Sequence, residues 1–76
     1  MDDVIIYTAD GCPPCVTLKQ RLKEEKIPFK EKKLGKDISL EEYPYKVVPV
    51  VEVKNRVLEG YCEEHIDIIK KLLEEE

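Results

Sequence analysis

A Cys-Pro-Pro-Cys motif at residues 12–15 lies where the pattern of the sequence changes from strand to helix. Residues 4–8 form a short run of β-branched and aromatic side chains without a breaker, which predicts a buried strand. At residues 13–26 the apolar side chains recur with helical spacing. Proline suits the first turn of a helix because its missing N–H would have no partner there. We therefore predict that the two cysteines lie at the N-terminus of a helix that follows a buried strand.

Three further strands are predicted downstream of this helix. Residues 29–33 alternate and are rich in lysine, as is typical of a strand at the edge of a sheet. Residues 47–53 are strongly β-branched and predict a central strand, and the pair at 54–55 can turn the chain into a fourth strand at 56–59. The first two strands, joined through a helix, should run parallel, and the hairpin adds antiparallel strands.

Two further helices are also predicted. Ser39 and Glu42 have the spacing of a capping box, which predicts a short helix that Pro44 ends. Apolar residues at helical spacing predict a last helix from about residue 62 to the end of the chain. The element order β-α-β-α-β-β-α indicates an α/β sandwich, with a four-stranded mixed sheet and three helices that cover both faces, in a single domain over residues 1–76.

The composition excludes several classes of function. The chain has 76 residues, of which 42% are apolar and 39% charged, and this indicates a small globular domain. Its 17 acidic and 13 basic residues leave a net charge of −4, which argues against nucleic acid or an anionic membrane as the main partner. The apolar runs are too short to cross a bilayer, and the N-terminus is acidic where a signal peptide is basic. We expect a monomer in the cytoplasm.

The position of the two cysteines indicates redox chemistry. A thiol at a helix N-terminus is favoured as the thiolate by free N–H groups and by the helix dipole, so Cys12 is placed to attack a disulfide. Cys15 lies one turn into the helix on its packed face and is placed to resolve the mixed disulfide. Pro13 and Pro14 stiffen the turn between them, which two merely buried thiols would not need.

A second marker is the proline at the start of the third predicted strand. Proline is disfavoured in a central strand because it cannot donate to the ladder, so Pro49 should begin the strand or adopt a special geometry. A cis peptide bond would bring the backbone of Val48 next to the dithiol, whereas a trans bond would merely start the strand.

These features together resemble the glutaredoxin family of the thioredoxin fold. The similar stretches are residues 6–8, 11–15 and 47–50 and the Gly60-Tyr61 pair, so the resemblance covers essentially the whole chain in order and spacing. It implies a thioredoxin-like sandwich, a cis Pro49, and dithiol–disulfide exchange with proteins or glutathione. It also implies no bound organic cofactor, glutathione as a reducing co-substrate, and a substrate site formed by the following residues: Val48, Pro49, Pro14, Gly60 and Tyr61.

The chain also departs from the family pattern. Many members carry a lysine three residues before the first cysteine, but here Ala9 holds that position and Asp10 follows it. The Asp10 carboxylate should repel both a thiolate and an anionic tripeptide, and Lys19 is placed to offset part of that charge. Pro14 stands where glutaredoxins usually have tyrosine. It resembles the proline that thioredoxins carry before their second cysteine. The sequence is therefore also similar to glutaredoxin-like electron donors of ribonucleotide reductase, which thioredoxin reductase recharges.

A different class of function follows from the third cysteine and the one histidine. Cys12, Cys15, Cys62 and His65 form a Cys-x2-Cys … Cys-x2-His set, which is chemically complete for zinc. The prolines restrict the flexible turn that a zinc knuckle normally makes. We therefore expect no metal at the dithiol and His65 as a surface residue. Cys62 is expected to be a half-buried thiol near the helix cap, with an auxiliary thiol that regulates or glutathionylates as the alternative.

Overall fold

The computed structural model describes residues 4–74, which form two helices and one four-stranded sheet. The elements in chain order are β1 (Val4–Thr8), α1 (Pro13–Glu24), β2 (Lys30–Lys33), β3 (Val50–Val53), β4 (Arg56–Glu59) and α2 (Glu63–Glu74). The strand order is β2-β1-β3-β4, with β1 parallel to β2 and antiparallel to β3. This confirms the mixed sheet, in which β1 and β3 are the central strands.

Both helices pack on the same face of the sheet. Alternate residues of β1 and β3 point to this face because successive side chains of a strand alternate between faces. Together with the apolar stripes of the helices they form one buried cluster. The members of this cluster are Val4, Ile6, Leu18, Leu22, Ile27, Val51, Val53, Leu58, Ile66 and Ile69. The expectation that helices cover both faces is therefore wrong.

The third predicted helix is absent from the described residues and is replaced by a single turn. The capping contacts form, since the Ser39 hydroxyl donates to the Glu42 carboxylate at 3.0 Å and accepts from the Glu42 N–H at 3.2 Å. The Tyr43 N–H reaches the Ser39 carbonyl at 3.1 Å, but Pro44 follows immediately. Proline has no N–H and restricts the residue before it, so the helix cannot propagate.

Several boundaries differ from the predicted ones. The first helix ends at Glu24 instead of residue 26, and Lys26 adopts a left-handed conformation with a φ of 59°. The third strand begins at Val50, because residues 46–48 form a bend ahead of Pro49. The last helix begins at Glu63, and the predicted continuation to residues 75 and 76 lies outside the described residues. Between residues 4 and 74 no helix is long and apolar enough to span a membrane.

Candidate active site

Cys12 and Cys15 form a disulfide at the N-terminus of α1, with their Cα atoms 5.3 Å apart. Cys12 is the N-cap residue with an extended backbone, and its Sγ accepts a hydrogen bond from the Cys15 N–H at 3.3 Å. Its carbonyl accepts from the N–H groups of Cys15 and Val16. The Cys12 sulfur is therefore already aligned with a helix N–H that would stabilise a thiolate in the reduced protein.

The two cysteines differ in burial as predicted. Cys12 is half-buried, whereas Cys15 is 1% exposed and lies on the packed face of α1 with Leu18 and Leu22. Of the two cysteines, Cys12 is therefore the one in contact with solvent.

An open cleft of about 410 Å³ lies beside the disulfide. It is formed by the turn between β1 and α1, the first turns of α1, and Glu31 and Lys33 of β2. The parallel register pairs Glu31 with Ile6 and Lys33 with Thr8, so both side chains leave the sheet on the helix face. Charged groups of the edge strand are thereby brought to the cysteines.

The negative charge of Asp10 at the mouth of this cleft is compensated by Lys33. The Lys33 Nζ lies 2.5 Å from Asp10 Oδ1. The hydrogen bond and the charge of Lys33 lower the pKa of Asp10, and Asp10 in turn raises the pKa of Lys33. Lys19, which was expected to offset part of the Asp10 charge, pairs with Glu31 instead.

Glu31 forms a second polar group in the wall of the cleft. Its Oε2 accepts from the Thr8 hydroxyl at 2.5 Å and from the Lys19 Nζ at 3.1 Å. The hydrogen bond from Thr8 is the largest cause that lowers the pKa of Glu31, and it outweighs the opposing effect of partial burial. Sequence reasoning missed this group; the only signal was one acidic residue in a strand that is otherwise all lysine.

The Val48–Pro49 peptide bond is cis, as the resemblance implied. Pro49 is buried and Val48 half-buried, and the Pro49 carbonyl accepts a hydrogen bond from the Gly60 N–H at 2.7 Å. Gly60 has a φ of 78°, which glycine adopts without steric cost. This hydrogen bond therefore joins two of the segments on which the family resemblance rests.

The other predicted substrate residues lie apart from the cleft. Pro14 is exposed on the first turn of α1. Tyr61 is half-buried, packs against the core cluster, and donates its hydroxyl to the Glu63 carboxylate. None of Pro14, Val48, Pro49, Gly60 and Tyr61 lines the cleft next to Glu31 and Lys33.

The zinc-binding alternative finds no support in the structure. Cys12 and Cys15 are bonded to each other, and within residues 4–74 no three His, Cys, Asp or Glu side chains converge in a group that could hold a metal ion. Cys62 is exposed, whereas we expected it to be half-buried. His65 is half-buried, whereas we expected a surface residue, and its Nδ1 donates to the Gly60 carbonyl at 3.2 Å.

A mixed four-stranded sheet, a Cys-x-x-Cys pair at the N-terminus of its first helix and a cis proline before its third strand define a thiol–disulfide oxidoreductase of the thioredoxin fold. The chain belongs to the glutaredoxin family, because the family's sequence model, described as Glutaredoxin, matches residues 4–58. Members of this family act on disulfide substrates through a redox-active cysteine pair, generally with glutathione as co-substrate and without a prosthetic group.

Solved glutaredoxin structures are similar to this chain over most of its length. One is the glutaredoxin grx-1 from Archaeoglobus fulgidus, with a TM-score of 0.77 and 25% identity over 93% of this chain and 88% of that one. Another is glutaredoxin 1 from Francisella tularensis, crystallised with cacodylate, with a TM-score of 0.68 and 26% identity over 92% of this chain and 95% of that one. No curated protein sequence matches the chain significantly.

Proposed function

We propose that this protein reduces disulfides of proteins and mixed disulfides with glutathione, with Cys12 as the attacking thiolate and Cys15 as the resolving thiol. The observation that carries the proposal is the asymmetry of the pair. Cys12 caps the helix and has its sulfur on a helix N–H, whereas Cys15 is buried behind it. The accessible sulfur is the one whose thiolate is stabilised, so it is the one suited to intermolecular attack.

The reaction balances as an exchange of one disulfide for another. The Cys12 thiolate attacks one substrate sulfur, a mixed disulfide forms, and the other substrate sulfur leaves as a thiolate. Cys15, once deprotonated, attacks the Cys12 sulfur and expels the second substrate thiol. Two electrons have then passed to the substrate, which takes up two protons, and the protein carries the Cys12–Cys15 disulfide described above.

The substrate chain is proposed to lie across the surface on the Val48 side of the dithiol. The residues that we assign to it are Val48, Pro49, Pro14, Gly60 and Tyr61. Support for this assignment comes from the hydrogen bond between Gly60 and Pro49, which ties the two loops together. Two exposed apolar side chains, Val16 of α1 and Val47 next to Val48, add surface for a polypeptide.

Glutathione is the reductant that we propose for the oxidised form. The negative charge of Asp10 should repel an anionic tripeptide, but Lys33 pairs with Asp10 at the cleft and compensates this charge. Thioredoxin reductase is the second candidate, with ribonucleotide reductase as the acceptor, and the presence of Ala9 and Pro14 favours it. We further propose that the protein acts as a cytoplasmic monomer. We also propose that it does not bind nucleic acid or membranes, because its net charge is −4.

Serine variants test the mechanism. Cys12→Ser should abolish disulfide reduction, whereas Cys15→Ser should accumulate a mixed disulfide on Cys12 that intact mass spectrometry detects. Cys62→Ser is the matched control and should keep wild-type rates, since Cys62 is exposed and unpaired with the dithiol. Full reduction of a protein disulfide by the Cys15→Ser variant would refute the dithiol mechanism.

The redox potential separates the two electron donors. Equilibration in graded glutathione buffers, followed by alkylation and mass spectrometry, gives the ratio of dithiol to disulfide. A potential of roughly −200 to −230 mV is typical of glutaredoxins and would support glutathione. A potential near about −270 mV is typical of thioredoxin and would favour a reductase.

A further inference from the structure

The segment that leads into the cis proline has almost no backbone hydrogen bonds of its own. Among the described residues, no backbone–backbone hydrogen bond involves residues 44–48. One hydrogen bond reaches their main chain, from the Tyr43 hydroxyl to the Val47 carbonyl at 2.5 Å. Segments with so few backbone bonds open easily unless side chains hold them. The Tyr43 hydroxyl is therefore the principal polar tether of the backbone next to Val48.

Tyr43 is held in turn by a cluster of aromatic rings on the face of the sheet opposite the helices. The Tyr43 ring centroid lies 5.4 Å from those of both Tyr7 and Tyr45, and the centroids of Tyr7 and Tyr45 are 5.9 Å apart. Such tilted and edge-to-face pairs are favourable aromatic arrangements.

Glu52 of β3 anchors this cluster from below. Its two carboxylate oxygens accept separately, Oε1 from the Tyr7 hydroxyl at 3.2 Å and Oε2 from the Tyr45 hydroxyl at 2.5 Å. The hydroxyls of Tyr7 and Tyr45 are thus occupied by the sheet, and that of Tyr43 by the loop. The three tyrosines therefore divide into two that bind Glu52 and one that binds the segment before Pro49.

All three hydroxyls remain protonated donors at neutral pH. Burial is the largest cause that raises the pKa of Tyr43 to about 12, with neighbouring Tyr7, Glu59 and Glu52 acting in the same direction. The hydrogen bond to Glu52 is the largest cause that raises the pKa of Tyr45 to about 12.

We propose that Tyr43 is a positioning residue, which holds the Val47–Val48 backbone in the conformation that receives a polypeptide substrate. The inference rests on the proposed function, because it assumes that Val48 contacts the substrate chain. A polypeptide needs a fixed backbone edge beside the dithiol, whereas a small disulfide needs only the Cys12 sulfur. Loss of the Tyr43 hydroxyl should therefore raise the KM for polypeptide disulfides and leave the kinetics with small disulfides unchanged.

The test compares two isosteric variants that each lose one hydroxyl from the same cluster. Tyr43→Phe removes the bond to the Val47 carbonyl, and Tyr45→Phe removes a bond to Glu52, which keeps its bond from Tyr7. The substrates are a fluorophore-quencher peptide with one internal disulfide and hydroxyethyl disulfide. Dithiothreitol supplies the electrons, so the result does not depend on the natural reductant.

For Tyr43→Phe we expect the KM for the peptide to rise about two- to tenfold, the factor that corresponds to one hydrogen bond, with kcat unchanged. Kinetics with hydroxyethyl disulfide should match the wild type, and both substrates should show wild-type kinetics with Tyr45→Phe. Backbone order parameters of Val47 and Val48, measured by NMR relaxation, should fall in Tyr43→Phe only. Since Val47 is exposed, water can replace the lost bond to its carbonyl, and the variant should fold.

An unchanged KM in Tyr43→Phe, or an equal rise in both variants, would overturn the positioning role. Equal loss of activity towards both substrates would also overturn it, because it would indicate general damage to the fold. A wild-type protein that reduces neither substrate would instead overturn the proposed function itself. The two failures are thus distinguishable by the behaviour of the wild type.

Discussion

Replacing Thr8 by valine should make the free energy of unfolding fall less steeply as the pH is lowered. Thr8 is 1% exposed, and its hydroxyl donates at 2.5 Å to Glu31, whose side chain is 31% exposed. Valine keeps the shape of threonine and removes the donor. Glu31 would then lose the contact that contributes most to its lowered pKa.

The magnitude follows from the burial of the two partners. A hydrogen bond to a charged group contributes about 1.5–3 kcal/mol, and solvent access to Glu31 reduces this to about 1–2 kcal/mol near neutral pH. The ordinary pKa of a glutamate is 4.5, and that of Glu31 in the folded protein lies below it. The stabilisation is therefore complete well above that ordinary value and is lost as the pH falls through the folded pKa. The destabilisation by Thr8→Val should accordingly shrink in acid.

The measurement is urea-induced unfolding of the wild type and of Thr8→Val, near pH 7 and again at about pH 2–3. A carbon-detected NMR titration of the Glu31 carboxyl should show a higher pKa in the variant. Thr17→Val is the matched control, because the Thr17 hydroxyl donates to the Pro13 carbonyl on the exposed side of α1 and touches no charge. Its effect should stay within about 0.5 kcal/mol at both pH values.

Two outcomes would refute this reasoning. One is a difference in unfolding free energy between Thr8→Val and wild type that is the same at both pH values. The other is a Glu31 pKa that does not move in the variant, because Lys19 and Lys33 would then account for the lowered value.

Three further predictions concern the dithiol and the core. Lys33→Gln should slow alkylation of reduced Cys12 near neutral pH, because the Asp10 charge loses its partner, and Asp10→Asn should speed it; both effects should weaken in high salt, and a rate that neither substitution changes would contradict the role of the pair. Leu22→Ala should cost about 2–5 kcal/mol in chemical unfolding, since Leu22 is fully buried between helix and sheet, and a loss below about 1 kcal/mol would be inconsistent with that packing. Adding excess zinc to the reduced wild type and to Cys62→Ser should leave both thermal midpoints unchanged, whereas a zinc-dependent rise lost in Cys62→Ser would revive a metal site.

Local chemistry explains why much of the site could be predicted from the sequence. A run of β-branched residues, a Cys-Pro-Pro-Cys turn and helical spacing together define the N-terminus of α1, and each acts over only a few neighbouring residues. A proline at the start of a strand marks a special position for the same reason. The strand–helix junction and the buried Cys15 were therefore predictable from the residues themselves, whereas the cis Val48–Pro49 bond was implied by the family resemblance.

The tertiary structure decided what depends on contacts between distant residues. Glu31 and Lys33 reach the cleft only because the parallel register of β2 on β1 turns both side chains to the helix face. Nothing in the order of residues indicates that Lys33 pairs with Asp10, or that Lys19 binds Glu31 instead.

The missing helix has both a local and a tertiary cause. The sequence determined a capped turn at Ser39, and its capping contacts do form. Pro44 then limits the segment to that one turn, and the contacts of Tyr43 and Tyr45 with Tyr7, which lies some forty residues earlier in the chain, hold the loop that follows on that face of the sheet. Local propensity determines how each segment can begin, but burial against distant partners selects the conformation that it finally adopts, because packing contributes more free energy than propensity does.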